Sequence, residues 1–292
     1  MSIFQSGFVS LFGRPNAGKS TLLNALIGEK LAIVSPKVQT TRHRIKGFLS
    51  GENYQIVFSD TPGIIDPKYL LQQKMMQQVK NALEDSDVAL LLYDLTSNRL
   101  AEADELFASL KLKVPAIVVC NKSDAVQPRT VQEAVDFFSG KSYAKKVLAI
   151  SAGKKAGLNE LIGEILKWLP EGFAFYNTDD LSDMPTRFFV SELIREKVFG
   201  LYHEELPYQT AVLVQEFTEK STLIKIRADI IVQRESQKAI ILGDGGKMIK
   251  ALGTEARKAI EEFLGQKVFL ELFVKVKPKW RDDELKLREY GY

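Results

Sequence analysis

The chain is poor in the residue types that carry redox and zinc chemistry: its 292 residues include one cysteine, Cys120, and two histidines, His43 and His203. A single cysteine excludes an intrachain disulfide, so a reducing, cytoplasmic setting is expected. The histidines are far apart, and neither has a cysteine or carboxylate at ligand spacing, which argues against a zinc site. His43 is expected to face solvent. No apolar run approaches the roughly 18 residues of a membrane-spanning helix, and the amino terminus lacks the charged start and cleavage pattern of a secretory leader. No internal repeat is found. What is present is 45% hydrophobic residues in a chain long enough for two packed domains.

The most specific stretch is Gly13-Arg14-Pro15-Asn16-Ala17-Gly18-Lys19-Ser20-Thr21. It fills the GxxxxGKS phosphate-loop pattern and stands where such a loop must stand, between an apolar run at 8–12 and a helical pattern at 21–27. Glycines let backbone N–H groups turn inward around phosphate oxygens, and the helix that follows adds its positive end. Lys19 supplies a point charge and Ser20 a magnesium ligand. All nine residues are expected at the phosphates of a nucleoside triphosphate.

The base is indicated further along. The apolar run 114–120 ends in Asn121-Lys122-Ser123-Asp124. A carboxylate there accepts from both the ring N–H and the exocyclic amine of guanine, an arrangement adenine lacks, so Asp124 points to GTP. Asn121 would tie the base site to the phosphate loop, and Lys122 would lay its stem on the base plane. Ser151-Ala152-Gly153 would bring a backbone N–H to the guanine carbonyl.

Between these lies Asp60-Thr61-Pro62-Gly63, after the apolar strand 54–58. Asp60 belongs on magnesium and the Gly63 N–H at the γ-phosphate, so this turn can sense that group. Thr41 is the candidate for a second magnesium contact, with Thr40 as its adjacent alternative. The groups expected to act in catalysis are thus Lys19, Thr41, Asp60 and Gly63, with Ser20, Thr41 and Asp60 around Mg2+. The Met-bearing stretch 72–79 suits a helix following the Asp60 turn.

Apolar strands alternating with helices up to residue 168 predict an α/β domain with a doubly wound, mostly parallel sheet over residues 1–172. Residues 173–185, rich in Asp, Ser and Pro, are expected to be a linker. Residues 186–292 read as helix, two strands, two helices and a strand, a smaller α+β domain. Its helices flank Gly243-Asp244-Gly245-Gly246, with Lys247 and Lys250 following. That segment is either a plain turn or the GXXG loop with which KH domains clamp an RNA backbone. Residues 236–281 hold ten cations and five anions, an excess of five against a whole-chain +3, which favours nucleic acid over a solvated charged face. Trp280 could stack on a base or cap the core.

Together, the Asn-bearing phosphate loop, the three further nucleotide motifs and the GXXG segment resemble the Era family of bacterial GTPases over nearly the whole chain. A single phosphate loop argues against tandem-GTPase relatives. The resemblance implies a Ras-like domain followed by a type II KH domain and magnesium-dependent hydrolysis of GTP to GDP. It also implies binding near the 3′ end of 16S ribosomal RNA, a role in maturing the small ribosomal subunit, and peripheral association with the inner membrane. A monomer is expected. Two other functions stand beside this one, a tRNA-modification GTPase and a membrane-associated signalling switch, and the GDGG-containing domain counts against the former.

Ile64 occupies the position where Ras carries the glutamine that orients water, and a hydrocarbon cannot do this. Intrinsic turnover is therefore expected to be slow. In relatives that share GRPNxGKS, the asparagine corresponding to Asn16 helps hold a potassium ion beside the phosphates, which adds Asn16 to the groups expected to act in catalysis and suggests potassium stimulation here.

Overall fold

The computed structural model describes residues 4–292, which form two compact units. The first comprises the chain up to Ala32, Thr41–Asp66 and Met75–Asp183; the second comprises Ile33–Thr40, Pro67–Lys74 and Met184–Tyr292.

The first unit is built from β1 (Gln5–Gly13), α1 (Lys19–Ile27), β2 (Ile45–Gly51), β3 (Tyr54–Asp60), α2 (Leu70–Glu84), β4 (Val88–Asp94), α3 (Leu100–Ser109), β5 (Ala116–Asn121), α4 (Pro128–Ser139), β6 (Ala144–Ala149) and α5 (Leu158–Leu166). The first turns of α2 belong to the second unit. The sheet order is β2-β3-β1-β4-β5-β6, with β2 antiparallel to β3 and every other pair parallel. Strands β4 and β5 are apolar almost throughout because helices cover both faces. Parallel pairing brings Gly13, Asp60 and Asn121 to the carboxyl edge of the sheet, where open α/β sheets place their ligands. Behind α5, Trp168 is partly exposed and points its indole N–H toward Glu164 Oε1 at 3.3 Å.

The stretch expected to be a linker is packed on this unit as far as Asp183. Gln55, fully buried, accepts from the amides of Phe175 and Tyr176 at 2.7 and 3.0 Å and donates to the Tyr176 carbonyl at 2.9 Å. The Tyr176 ring stacks on Phe48 at 3.8 Å between centroids, and Lys46 meets Asp183 at 2.8 Å. The Tyr176 ring, which gains by stacking on Phe48, and the backbone partners that Gln55 supplies account for the difference.

The second unit contains α6 (Thr186–Leu201), β7 (Ala211–Glu219), β8 (Ile224–Val232), α7 (Glu235–Leu242), α8 (Lys247–Leu264), β9 (Val268–Val276) and α9 (Glu284–Glu289). β7 runs antiparallel and β9 parallel to β8. One core joins Val190 and Ile194 of α6 to Ile226, Ala228 and Ile260, and another joins Val198 to Ile230, Ile241, Leu252 and Val274. Trp280 caps this unit: it is fully buried, donates from Nε1 to the Gln209 carbonyl at 3.0 Å and packs beside Tyr290. It is therefore closed to base stacking. His43, in the first unit, is half-buried rather than exposed. Among the described residues no helix is long and apolar enough to cross a membrane.

Candidate functional site

The phosphate loop is held open by its backbone. Gly13 and Gly18 have φ of 155° and 92°, and Asn16 adopts a left-handed φ of 64°. A Cβ on Gly18 would fall 2.2 Å from Asn121 Nδ2, so only glycine lets the base-site asparagine lie against the loop. Lys19, buried at the start of α1, donates from Nζ to the carbonyls of Gly13 and Arg14 at 3.2 and 3.0 Å. These contacts hold an ammonium at the mouth of the loop in a position suited to triphosphate oxygens. Arg14 turns its side chain outward to Glu102 on α3 at 2.5 Å and contributes backbone to the cradle. Pro15 lies beneath Gly63, where a Cβ would come 2.8 Å from the proline nitrogen. Ala17 is buried, and its carbonyl accepts from Asn121. Thr21 follows in the first turn of α1.

Three oxygen-bearing side chains meet beside Lys19. Ser20 Oγ donates to Asp60 Oδ2 at 2.6 Å, Thr41 Oγ1 donates to the same oxygen at 3.1 Å, and the two hydroxyls are 2.9 Å apart. The remaining carboxylate oxygen, Asp60 Oδ1, is buried with no hydrogen-bond partner. An orphaned carboxylate oxygen beside two hydroxyls is a hard, all-oxygen donor set, which fits Mg2+. Burial pushes the Asp60 carboxyl up, opposed by the Lys19 charge and by the hydrogen bonds from Ser20 and Thr41. Burial also pulls Lys19 down to about 8, opposed by the Asp60 charge. Of the two adjacent threonines, Thr41 is the one that reaches the site; the Thr40 carbonyl accepts from Arg195. Thr61 holds the turn in place by donating to the Leu11 carbonyl at 2.6 Å. Ile64 packs against the apolar core, with its N–H on the Gly13 carbonyl at 3.2 Å.

The base end is equally connected. Asn121 donates from Nδ2 to the Ala17 carbonyl at 3.0 Å and accepts the Ala152 N–H on Oδ1 at 3.0 Å, joining three loops through one amide. Lys122, with a left-handed φ of 66°, extends its ammonium to Asp94 at 2.5 Å. Reading the motifs alone misses Asp94, although it ends β4 directly opposite Asn121 and could be found from that register. Ser151 plays another part than the one expected. Its N–H is taken by the Ala156 carbonyl, and its hydroxyl donates to Asp124 Oδ1 at 2.5 Å, so it holds that carboxylate in place. The Ala152 N–H is spent as well, on Asn121 Oδ1, so of the three residues expected at the base carbonyl Gly153 is the one left to offer its amide.

In the second unit, Gly243, Gly245 and Gly246 all have positive φ, at 66°, 58° and 78°. The bend directs Asp244, Gly245, Lys247 and Lys250 to solvent. A Cβ on Gly243 would fall 2.6 Å from the Met248 side chain, while one on Gly245 or Gly246 meets nothing within 4 Å. Loop backbone and two lysines are thus available to a sugar-phosphate chain.

Residues 8–122 match the protein family described as 50S ribosome-binding GTPase, and residues 205–281 match the KH domain family. Among solved structures, the chain is similar to Era in complex with MgGDPNP and nucleotides 1506–1542 of 16S ribosomal RNA, with 39% identity over 99% of each chain and a TM-score of 0.95. It is also similar to an Era variant of Aquifex aeolicus bound to GDP and AlF4−, with 39% identity over 99% of each chain and a TM-score of 0.94.

Proposed function

The chain belongs to the Era family of GTPases, and on that premise we propose that it hydrolyses GTP to GDP and phosphate, binds the 3′ region of 16S ribosomal RNA through its second unit, and assists assembly of the small ribosomal subunit. The observation that carries the enzymatic part is the meeting of Ser20, Thr41 and the orphaned Asp60 Oδ1 beside a buried Lys19. Magnesium bound there would neutralise charge on the phosphate oxygens. The loop backbone cradles the phosphates, Lys19 places its ammonium against them, and the Gly63 amide stands at the γ-phosphate. Asp124 selects guanine, with Ser151 holding its carboxylate.

Ile64 gives its side chain to the core, so the residue after Gly63 leaves the attacking water to backbone groups. Slow intrinsic turnover follows. Asn16 supports potassium as a supplementary charge beside the phosphates. Single-turnover hydrolysis is expected to be faster in potassium than in sodium, and equal rates, with and without RNA, would remove that role.

The ribosomal part rests on the GXXG geometry and the relative's RNA complex. Its test is binding to a short RNA matching the 3′ end of 16S ribosomal RNA, beside a scrambled control, with GDP and with a non-hydrolysable GTP analogue. Selective, analogue-enhanced binding that Gly246→Asp and Lys247→Ala abolish is expected. Loss of selectivity in both nucleotide states would overturn the ribosomal reading and leave the GTPase reading intact.

A further inference from the structure

Within the first unit, Lys122 is held at both ends of its side chain. Its backbone takes a left-handed φ of 66°, which a residue bearing a side chain seldom adopts. The chain around it is fixed: Asn121 makes its two amide contacts, the Ser123 N–H donates to the Ile150 carbonyl at 3.1 Å, and the Lys122 carbonyl accepts the Ala125 N–H at 3.0 Å. At the far end the ammonium meets Asp94 Oδ2 at 2.5 Å, and the Asp94 side chain is 17% exposed. Asp94 cannot turn away from this contact. Its other oxygen, Oδ1, accepts from the Thr96 N–H at 2.9 Å and the Thr96 hydroxyl at 2.7 Å, capping the short turn Leu95–Ser97. That cap needs one acceptor oxygen and no charge, so an asparagine would serve it equally. The charged oxygen that faces Lys122 is surplus to the turn.

The surplus bears on the base site because a lysine stem has four rotatable bonds and loses much freedom when it is ordered. Parallel pairing sets Asp94 directly opposite Asn121, so the stem of Lys122 runs between two strand ends at the edge where Asn121 and Asp124 stand. Resting on the GTPase reading above, we propose that Asp94 is a positioning residue for guanine: by pinning the Lys122 ammonium it holds the aliphatic stem where the base plane settles, so that binding a base orders less of the side chain. The base is common to GDP and GTP. Loss of the pin therefore weakens both nucleotides alike and leaves the magnesium requirement unchanged, unlike any change at the phosphates.

The test is a double-mutant cycle in the full chain with Asp94→Asn, Lys122→Met and the two combined. Asparagine keeps the cap on Thr96 and removes the charge, and methionine keeps an apolar stem and removes the ammonium. Dissociation constants for GDP and for a non-hydrolysable GTP analogue are measured across a magnesium series, beside thermal melting. Asp94→Asn is expected to weaken both nucleotides by about fivefold, the scale of a partly exposed ion pair. Made on top of Lys122→Met, the same change should alter affinity by less than about 1.5-fold, since no ammonium remains to be placed. A purely structural role for Asp94 would weaken binding equally in both backgrounds, and that result would overturn the proposal. So would an unchanged affinity in Asp94→Asn, or weakening confined to the analogue. If Asp94→Asn does not fold, Asp94→Ser, which also caps, is taken through the same cycle and judged by the same outcomes. A wild-type chain that binds neither nucleotide overturns the GTPase reading and this inference with it, whereas a wild type that binds beside an unaffected Asp94→Asn overturns this inference alone.

Discussion

Around the phosphate loop an added methyl group collides with the protein: a Cβ on Gly18 would stand 2.2 Å from Asn121 Nδ2, and one on Gly63 2.8 Å from Pro15 N. Around the GXXG loop it meets open space, with nothing within 4 Å of a Cβ on Gly245 or Gly246. The loops of the nucleotide site are tied to one another, since Asn121 binds the base loop to the phosphate loop through its two amide contacts. The GXXG bend owes little to neighbouring side chains at those two positions, so the crowding that requires glycine there would come from the RNA. Preorganisation serves chemistry in the first case. Close approach serves recognition in the second.

The largest expected effect is Gly18→Ala. The new methyl must displace the Asn121 amide in a backbone conformation already unfavourable to alanine, so GDP affinity should fall by about a hundredfold, read by titration calorimetry. Near-wild-type affinity would mean that the cradle yields, and the contrast between the two surfaces would be lost.

A smaller effect follows from Lys19, whose buried ammonium is pulled down to about 8. Phosphate binding needs the charged form, so the free chain must take up a proton to bind nucleotide at higher pH. The GDP dissociation constant should rise about eightfold between pH 7.5 and 9. Stability of the nucleotide-free chain moves the other way. The folded pKa lies below the unfolded one, so between about 8 and 10.5 the unfolded chain holds the extra proton, and stability rises with pH through that window. A flat binding profile would show that Lys19 keeps its charge throughout.

The smallest effect is Gly245→Ala. With no clash to relieve, only the left-handed backbone is penalised, by about 1 kcal/mol, visible as a modest loss in melting temperature. Nucleotide affinity should remain at wild type. RNA affinity should fall by more than that stability loss alone accounts for, because the methyl would occupy the path of the sugar-phosphate chain.

Much of the nucleotide site is legible in the chain because its chemistry depends on short spacings next to strand ends. Gly13 to Ser20, Asp60 to Gly63 and Asn121 to Asp124 each need only a strand before them to become sites. Groups that act across the fold lack that signature. Asp94 beneath Lys122 becomes visible once β4 and β5 are in register. The hydroxyl role of Ser151 depends on a turn that spends its own amide on Ala156. Arg195 and Thr40 are 155 positions apart, and nothing local marks either. Residues 173–183 look like a linker by composition, but the Tyr176 ring on Phe48 and the backbone hydrogen bonds that Gln55 makes with Phe175 and Tyr176 hold them to the first unit. The order of elements around the GXXG segment follows from alternating patterns, whereas the fate of Trp280 required knowing that Gln209 presents a carbonyl to it.

The chain's two tryptophans fall one to each unit: Trp168 is 38% exposed in the first, and Trp280 is sealed in the second. They form a built-in pair of optical probes, one emitting at longer wavelength from contact with water and the other at shorter wavelength from an apolar surround. Trp168→Phe leaves fluorescence that follows melting of the second unit, and Trp280→Phe leaves fluorescence that follows the first. Titrating GDP into each single-tryptophan protein would therefore reveal whether nucleotide stabilises one unit or both.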